Sequence, residues 1–190
     1  MTEQELISRL QKGDEQAYKL LVSLYQDKVF NTAVGLLQQH GDAEDIAQEV
    51  FIQVYRSVQQ FKGASALSTW IYRITVTKCL DHIRRKKRKK RFGFVMSIFG
   101  NNNQPVYEPA DFHHPAVILD KKEDAALLFK MIDGLPENQK TAFILNKLED
   151  LGYREIAAIM QTTESAVDSL LQRARQNLKK SVSAKINNSS

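Results

Sequence analysis

Apolar residues in this chain recur at intervals of three and four, and runs that alternate strictly between apolar and polar are missing. That period suits a helix with one buried face and does not suit a strand. Only four Pro and eight Gly occur in 190 residues, too few for the tight turns of a sandwich or barrel. The spacing therefore predicts an all-α chain.

Local signals divide it. "TEQELISRLQKGD" opens with a capping box, Thr2 and Glu5, and closes at Gly13. Asp14 is expected to cap a second helix, with Ala17, Tyr18, Leu21, Val22, Tyr25, Val29, Ala33 and Leu37 on one stripe and its end at Gly41. Asp42 is expected to cap a third, and a fourth starts near Leu67. After Arg91 the period collapses: "FGFVMSIFGNNNQPVYEPADFHHPAV" holds three of the four prolines and an Asn-Asn-Asn run. It returns near Asp120, in "KKEDAALLFKMIDG" and in "LPENQKTAFILNKLEDLG", with Pro136 in the first turn of the latter. Two shorter helices follow, roughly 153–160 and 163–182. The pattern predicts two small helical domains, 1–91 and 120–184, a flexible linker over 92–119, and a disordered tail at 185–190.

Several chemistries are excluded. The lone Cys79 offers neither an internal disulfide nor a cysteine zinc site, which suits a reducing cytoplasm. "MTEQELISRLQKGDEQ" is charged where a signal peptide needs an apolar run, and no stretch reaches the length that spans a bilayer. There is no Ser-His-Asp set, phosphate loop or metal-ligand spacing, and His113–His114 beside a Pro reads as loop. The expectation is no enzyme, no metal, no cofactor and no small-molecule substrate.

Charge points the other way. Residues 1–91 carry 16 basic and 10 acidic side chains, net +6, while 92–190 are net −1. Residues 84–91, "RRKKRKKR", supply +8 by themselves. Eight like charges repel one another, so an anionic partner is expected at the end of this helix.

In "DAEDIAQEVFIQVYRSVQQF", 42–61, Ala43, Ile46, Ala47, Val50, Val54 and Val58 share a core face at about 100° per residue. Asp45, Gln48, Glu49, Ile52 and Arg56 lie opposite. Ile52 amid polar neighbours is either a stray exposed isoleucine or the centre of a protein-docking face.

In the next helix Leu67, Trp70, Ile71 and Ile74 share one side, and Val76, Cys79, Leu80 and Ile83 lie roughly opposite. The stripe changes sides midway, so different neighbours should cover the two ends, leaving Tyr72, Arg73, Thr77 and Lys78 for exposure. The small-residue loop "FKGASALS" precedes it. Aromatics interleaved with bases suit single-stranded nucleic acid, although Trp70 by itself reads first as a core residue and the loop as a connector.

"YREIAAIMQTTESAVDSLLQRARQNLKK", 153–180, fits a helix-turn-helix with Ile156, Ala157, Met160, Val167 and Leu170 buried. Thr163 can cap the second helix, whose exposed positions start with Glu164, Ser165, Asp168, Ser169 and Gln172. Arg173, Arg175, Lys179 and Lys180 can hold phosphates. Rival readings are a free-standing helix-turn-helix regulator of duplex DNA, or a peripheral membrane protein anchored by "KKRKKRFGFVMSIF".

"AEDIAQEVFIQVYRSVQQFKG", "LSTWIYRITVTKCLDHIRR", "LPENQKTAFILNKLEDLGYREIAAIM" and "AVDSLLQRAR", in that order, resemble bacterial sigma factors of the extracytoplasmic-function type, the smallest sigma-70 class. The resemblance implies a transcription initiation factor whose partners are core RNA polymerase, at its clamp and flap, and promoter DNA. Asp45, Gln48, Glu49, Ile52 and Arg56 would contact polymerase. Phe61, Lys62, Gly63, Ala64, Ser65, Ser68, Trp70, Tyr72, Arg73, Thr77, Lys78, Arg84 and Arg85 would bind the −10 element as a separated strand, the loop taking an extruded base. Arg154, Glu164, Ser165, Asp168, Ser169, Gln172 and Arg173 would read the −35 element. Residues 92–120 would thread towards the RNA exit path. The resemblance also implies a cytoplasmic protein and an anti-sigma factor as partner, often one held at the inner membrane. Three departures stand out: Thr77 where the family commonly has Asn, Asp168 and Leu170 where it commonly has bases, and a long linker carrying "RFGFVMSIFGNNN".

Overall fold

The computed structural model describes residues 1–99 and 122–187, and all regular structure among them is helical. The helices are α1 (Glu3–Gln11), α2 (Glu15–Leu37), α3 (His40–Ser57), α4 (Leu67–Phe99), α5 (Lys122–Asp133), α6 (Glu137–Lys147), α7 (Tyr153–Met160) and α8 (Glu164–Asn187), with a 3-10 turn at Val58–Gln60. Of the expected linker, 100–119 lies outside the described residues, as does the end of the expected tail, 188–190.

Capping follows the sequence at the N-terminal end. The Thr2 amide donates to Glu5 Oε2 at 2.8 Å, and the Glu5 amide donates to Thr2 Oγ1 at 3.2 Å. Gly13 turns the chain at φ +75°, and Asp14 Oδ1 accepts from the amides of Gln16 and Ala17 at 2.9 and 3.2 Å. The α2–α3 junction departs from expectation. Helix α2 stops at Leu37, Gln38 takes the left-handed conformation at φ 55°, and Gly41 and Asp42 lie inside α3. The reason is tertiary: Gln38 Nε2 donates to the Phe129 carbonyl at 2.8 Å, and the Asp42 carboxylate turns to α4, 2.6 Å from Lys86 Nζ. Helix α4 also runs on to Phe99, past the expected end at Arg91, and α8 reaches Asn187. A stretch without proline stays helical even where no apolar stripe marks it.

Helices α2, α3 and α4 pack on one another, and α1 lies across α2. Leu21, Leu36, Ile46, Val50, Val54, Leu67, Ile71 and Cys79 are buried between them. Burial pushes the Cys79 thiol up to about 12, against an opposing effect of Lys140, so the thiol stays protonated. The second unit closes α5, α6 and α7 around α8 over Phe129, Ile132, Ile144, Ile156, Val167 and Leu171. Its helix-turn-helix is in phase with Leu171 and Ala174, which are fully buried, whereas Leu170 is half-buried. Ile159 likewise takes the buried place expected for Met160, which is half-buried.

The two units also share one continuous apolar core. Helix α6 lies against α2, and α7 against α4. In this contact a Cβ added to Gly35 would stand 3.0 Å from Ile144 Cγ2 and 3.2 Å from Leu148 Cδ1. Glycine here lets two helix backbones come together.

The observed phase of α8 yields a direct expectation. Leu171→Ala should destabilise the chain by about 2–5 kcal/mol, the range for emptying a filled core site, and Leu170→Ala by clearly less. Urea denaturation of the two variants would reverse that ranking if the sequence phase were correct.

Candidate nucleic-acid interface

Ile52 is 49% exposed and Tyr55, one turn later, 58%. Asp45, Gln48 and Arg56 are exposed around them. Tyr55 packs edge-on against Tyr18 with ring centroids 5.2 Å apart, and the Tyr18 hydroxyl donates to the Phe51 carbonyl at 2.9 Å. The tyrosine is held rigidly beside Ile52, which makes it part of the same apolar centre. The sequence reading missed it, although an aromatic three residues from Ile52 was the available signal. Glu49 departs from this face. It is half-buried, lines the groove described next, and lies 3.1 Å from Lys78 Nζ.

Between α3 and α4 runs a groove of about 820 Å³. Trp70, Ile74 and Thr77 contribute its apolar and hydroxyl surface, and Arg73, Lys78, Arg84, Arg85 and Arg88 its positive charge, with Glu49 and Asp81 as acids. The loop 61–66 stands at one end. Helix α1 fixes both of its roots: Gln11 Nε2 donates to the Phe61 carbonyl at 2.9 Å, and the Leu67 amide donates to Glu3 Oε1 at 3.1 Å. Lys62, Gly63 and Ala64 are exposed, Ser65 and Ser68 half-buried, and Gly63 sits at φ +69° in open space. Phe61 differs from the expected DNA-facing residue. It is 8% exposed, its ring 4.9 Å from that of Trp70, so it supports the half-buried Trp70 from behind.

Of the four residues expected in the gap of α4, Thr77 is exposed, and Arg73 and Lys78 are half-buried. Tyr72 is a correction: it is only 5% exposed, because the turn after α6 covers it. Its hydroxyl donates to Glu149 Oε2 at 2.9 Å. Arg73 Nη2 donates to the Ala158 carbonyl at 2.7 Å. Burial, with help from the neighbouring Glu149, raises Tyr72 above the ordinary phenol range. Further along, Glu137 at the start of α6 meets Lys87 Nζ at 3.1 Å and Arg84 Nε at 3.5 Å. The Lys87 hydrogen bond, against slight burial and with Arg84 assisting, holds the Glu137 carboxyl below the usual range. Burial also opposes ionisation of Asp42, but Lys86 and His82 outweigh it.

On the second unit, Arg154, Glu164, Ser165, Ser169, Gln172 and Arg173 are exposed and Asp168 half-buried. Thr163 Oγ1 accepts from the Ala166 amide at 3.1 Å, and Gln161 makes the turn at φ 54°. Gln172 Nε2 donates to Asp168 Oδ2 at 2.9 Å, so the two present a linked acceptor and amide. No group of three or more His, Cys, Asp or Glu side chains that could hold a metal occurs among the described residues, and no helix among them is long and apolar enough to cross a membrane.

The family model for Sigma-70 region 2 matches residues 21–89, and that for Sigma-70 region 4 matches residues 125–178. The chain is 36% identical over 176 residues to the ECF RNA polymerase sigma-E factor of Escherichia coli strain K12, covering 93% of this chain and 92% of that protein. The sigma-E factor of Haemophilus influenzae is 35% identical over 185 residues, with 96% of each chain covered. Among solved structures, CnrH in complex with the cytosolic domain of CnrY superimposes with a TM-score of 0.68 at 17% identity, over 96% of this chain and 97% of that one. RpoE in complex with the anti-sigma factor NepR from Bartonella quintana gives 0.64 at 22% identity, over 87% and 96%. At those identities the likeness is one of fold.

Glu149 makes the contact between the two units sensitive to pH. Burial raises its carboxyl above the ordinary 4.5, while the Tyr72 hydrogen bond works the other way. The groups facing it are Tyr72 from α4, Lys28 from α2, Glu155 from α7 and Asp150 from its own turn. A raised carboxyl means the packed state binds more protons between 4.5 and the raised value. The packed state is therefore favoured below that interval and weakened as pH climbs through it. Glu137 titrates below the ordinary range and does not contribute there. Small-angle scattering across the interval should show expansion with rising pH, and Glu149→Gln should remove the dependence.

Proposed function

The chain belongs to the extracytoplasmic-function group of the sigma-70 family, transcription initiation factors that direct RNA polymerase and are not themselves enzymes, and from that premise we propose which of its surfaces does what. Ile52 and Tyr55 dock on the polymerase clamp, with Asp45, Gln48 and Arg56 as the polar rim. Glu49 positions Lys78 instead of touching polymerase. The separated −10 strand lies along the groove of α4. Lys62, Gly63, Ala64 and Ser65 take the extruded base, Trp70 offers a ring face, Thr77 reaches a base edge, and Arg73, Lys78, Arg84 and Arg85 follow the phosphates. Phe61 acts from behind as the support of Trp70. On the second unit, Asp168, Ser169, Gln172 and Arg173 face the −35 base edges, with Arg154, Glu164 and Ser165 at the rim.

The observation that carries this reading is the groove itself. An aromatic, Trp70, and a row of cations from Arg73 to Arg88 line it, and the loop of small residues precedes the same helix; ring faces for bases and charge for phosphates are the surface a single strand needs. Opening the duplex costs a few kcal/mol per unstacked base, and binding of the extruded strand offsets it. The protein works in the cytoplasm at the nucleoid. An anti-sigma factor, membrane-attached in one form of regulation, is the inhibitory partner; RpoE of Bartonella quintana is solved in complex with the anti-sigma factor NepR.

Run-off transcription with purified core polymerase on genomic fragments tests the function as a whole; initiation no better than that of core alone refutes it. Ile52→Glu should abolish retention by core polymerase and leave the circular dichroism spectrum unchanged, and undiminished binding removes the docking face. Asp168 accepts hydrogen bonds and suits the amino group of cytosine. Asp168→Ala should therefore change the preferred −35 letters in a selection over randomised promoters more than it changes total DNA affinity.

A further inference from the structure

The row of cations lining the groove stops at Arg88. Arg84, Lys86 and Lys87 are drawn towards Glu137 and Asp42. Beyond them Lys89 and Arg91 are exposed, on a helix that continues to Phe99. The sequence changes abruptly after Arg91. Residues 84–91 are all basic, whereas 92–99, "FGFVMSIF", carry no charge and include Phe92, Phe94, Val95, Met96, Ile98 and Phe99.

Polarity is therefore divided along the axis of α4 and not between two of its faces. At about 100° per residue, eight consecutive cations go more than twice round a helix, and the run after them has no polar stripe in its pattern. Each half is about 12 Å long at 1.5 Å per residue. A bilayer's hydrocarbon core is about 30 Å thick, so the apolar half is too short to cross it and long enough to enter one leaflet.

Chemistry decides between two kinds of anionic partner. The phosphates of a nucleic acid would satisfy 84–91 but offer nothing to Val95, Met96 and Ile98. An anionic bilayer satisfies both, in the order in which the helix presents them: charge at the surface and an acyl boundary just beneath it. The sequence also limits the depth. Asn101, Asn102 and Asn103 follow at once, and a carboxamide or a helix-end carbonyl carried into hydrocarbon has no partner there. The run therefore stays at the headgroup–acyl boundary, about 5–10 Å deep.

We propose that residues 84–99 form a reversible anchor for an anionic membrane surface, in addition to the promoter function: the basic turns of α4 lie among lipid headgroups and the apolar run enters the leaflet below them. One short apolar element joined to a polybasic one is the pair of signals that holds a protein at a membrane without fixing it there.

Flotation of the full-length chain tests this, with vesicles of phosphatidylcholine alone or of equal parts phosphatidylcholine and phosphatidylglycerol. The wild type should float with the mixed vesicles and not with phosphatidylcholine. Phe94→Ser with Ile98→Ser alters no charge and should weaken binding by about tenfold or more. Lys89→Glu with Arg91→Glu leaves the apolar run intact and should weaken it by about tenfold or more as well, at about fivefold per charge. The serine variant should keep the circular dichroism spectrum, the run-off transcription and the single-stranded DNA affinity of the wild type. A wild type that ignores the mixed vesicles overturns the anchor. So does a serine variant that floats as well as the wild type, since 84–91 then act as a simple polycation, or a charge variant that does so. Loss of run-off or of DNA affinity in the serine variant would assign the run to the transcription complex, and loss of a larger species on gel filtration would assign it to a second copy of this chain; either result overturns the proposal.

Discussion

Helix α4 is apolar on two sides, and both have to be covered. Helices α2 and α3 take one side and α7 the other, burying Leu67, Ile71, Tyr72, Val76 and Cys79. Fully burying one large apolar side chain contributes about 1.5–3 kcal/mol, whereas an exposed ion pair gives about 0–1 kcal/mol. The apolar seams therefore set where α4 lies. The ion pairs at Lys78, Lys86 and Lys87 then decide which of its charges stay open. The loop before it, the groove beside it and the basic end beyond it all take their positions from this one helix.

Helix α3 has a related division of labour. Its core face, Ile46, Val50 and Val54, holds it against α2 and α4. The opposite face divides in two. Ile52 and Tyr55 point to solvent, while Glu49 and Gln53 form a wall of the groove. On the proposed assignment, a protein-docking surface and a strand-binding surface share this one helix.

The seam between the two units balances opposing effects. Close packing of Gly35 on Ile144 is favourable, yet Arg73 Nε and Glu149 Oε1 lack partners in a place where each such atom costs about 1–3 kcal/mol. Joining two readers by a chain keeps the second at high local concentration once the first is bound. The same tether keeps the units close enough to pack on each other when DNA is absent.

Much of this was legible in the residues. The period of three and four gave the helices, the capping box at Thr2 and Glu5 and the Asp14 cap gave their starts, and the spacing put Ile52 on the exposed face of its helix. These signals are local, since period and caps depend on neighbours within a turn or two of the chain. What the sequence left open depends on residues far apart. Gln38 is left-handed because the Phe129 carbonyl lies within reach of its side chain, and Tyr72 is buried because Glu149 covers it. Glu49 faces the groove because Lys78 is there, and Leu171 is buried in place of Leu170 because α6 and α7 cover that side of α8. Periodicity tells which stripe of a helix is apolar to within a residue or so, but the neighbour that covers the stripe fixes the phase. The sequence by itself determined that the chain is helical, basic at the end of α4 and bipartite. Only the tertiary structure decided which donors on α4 are open, because that depends on where the second unit comes to rest.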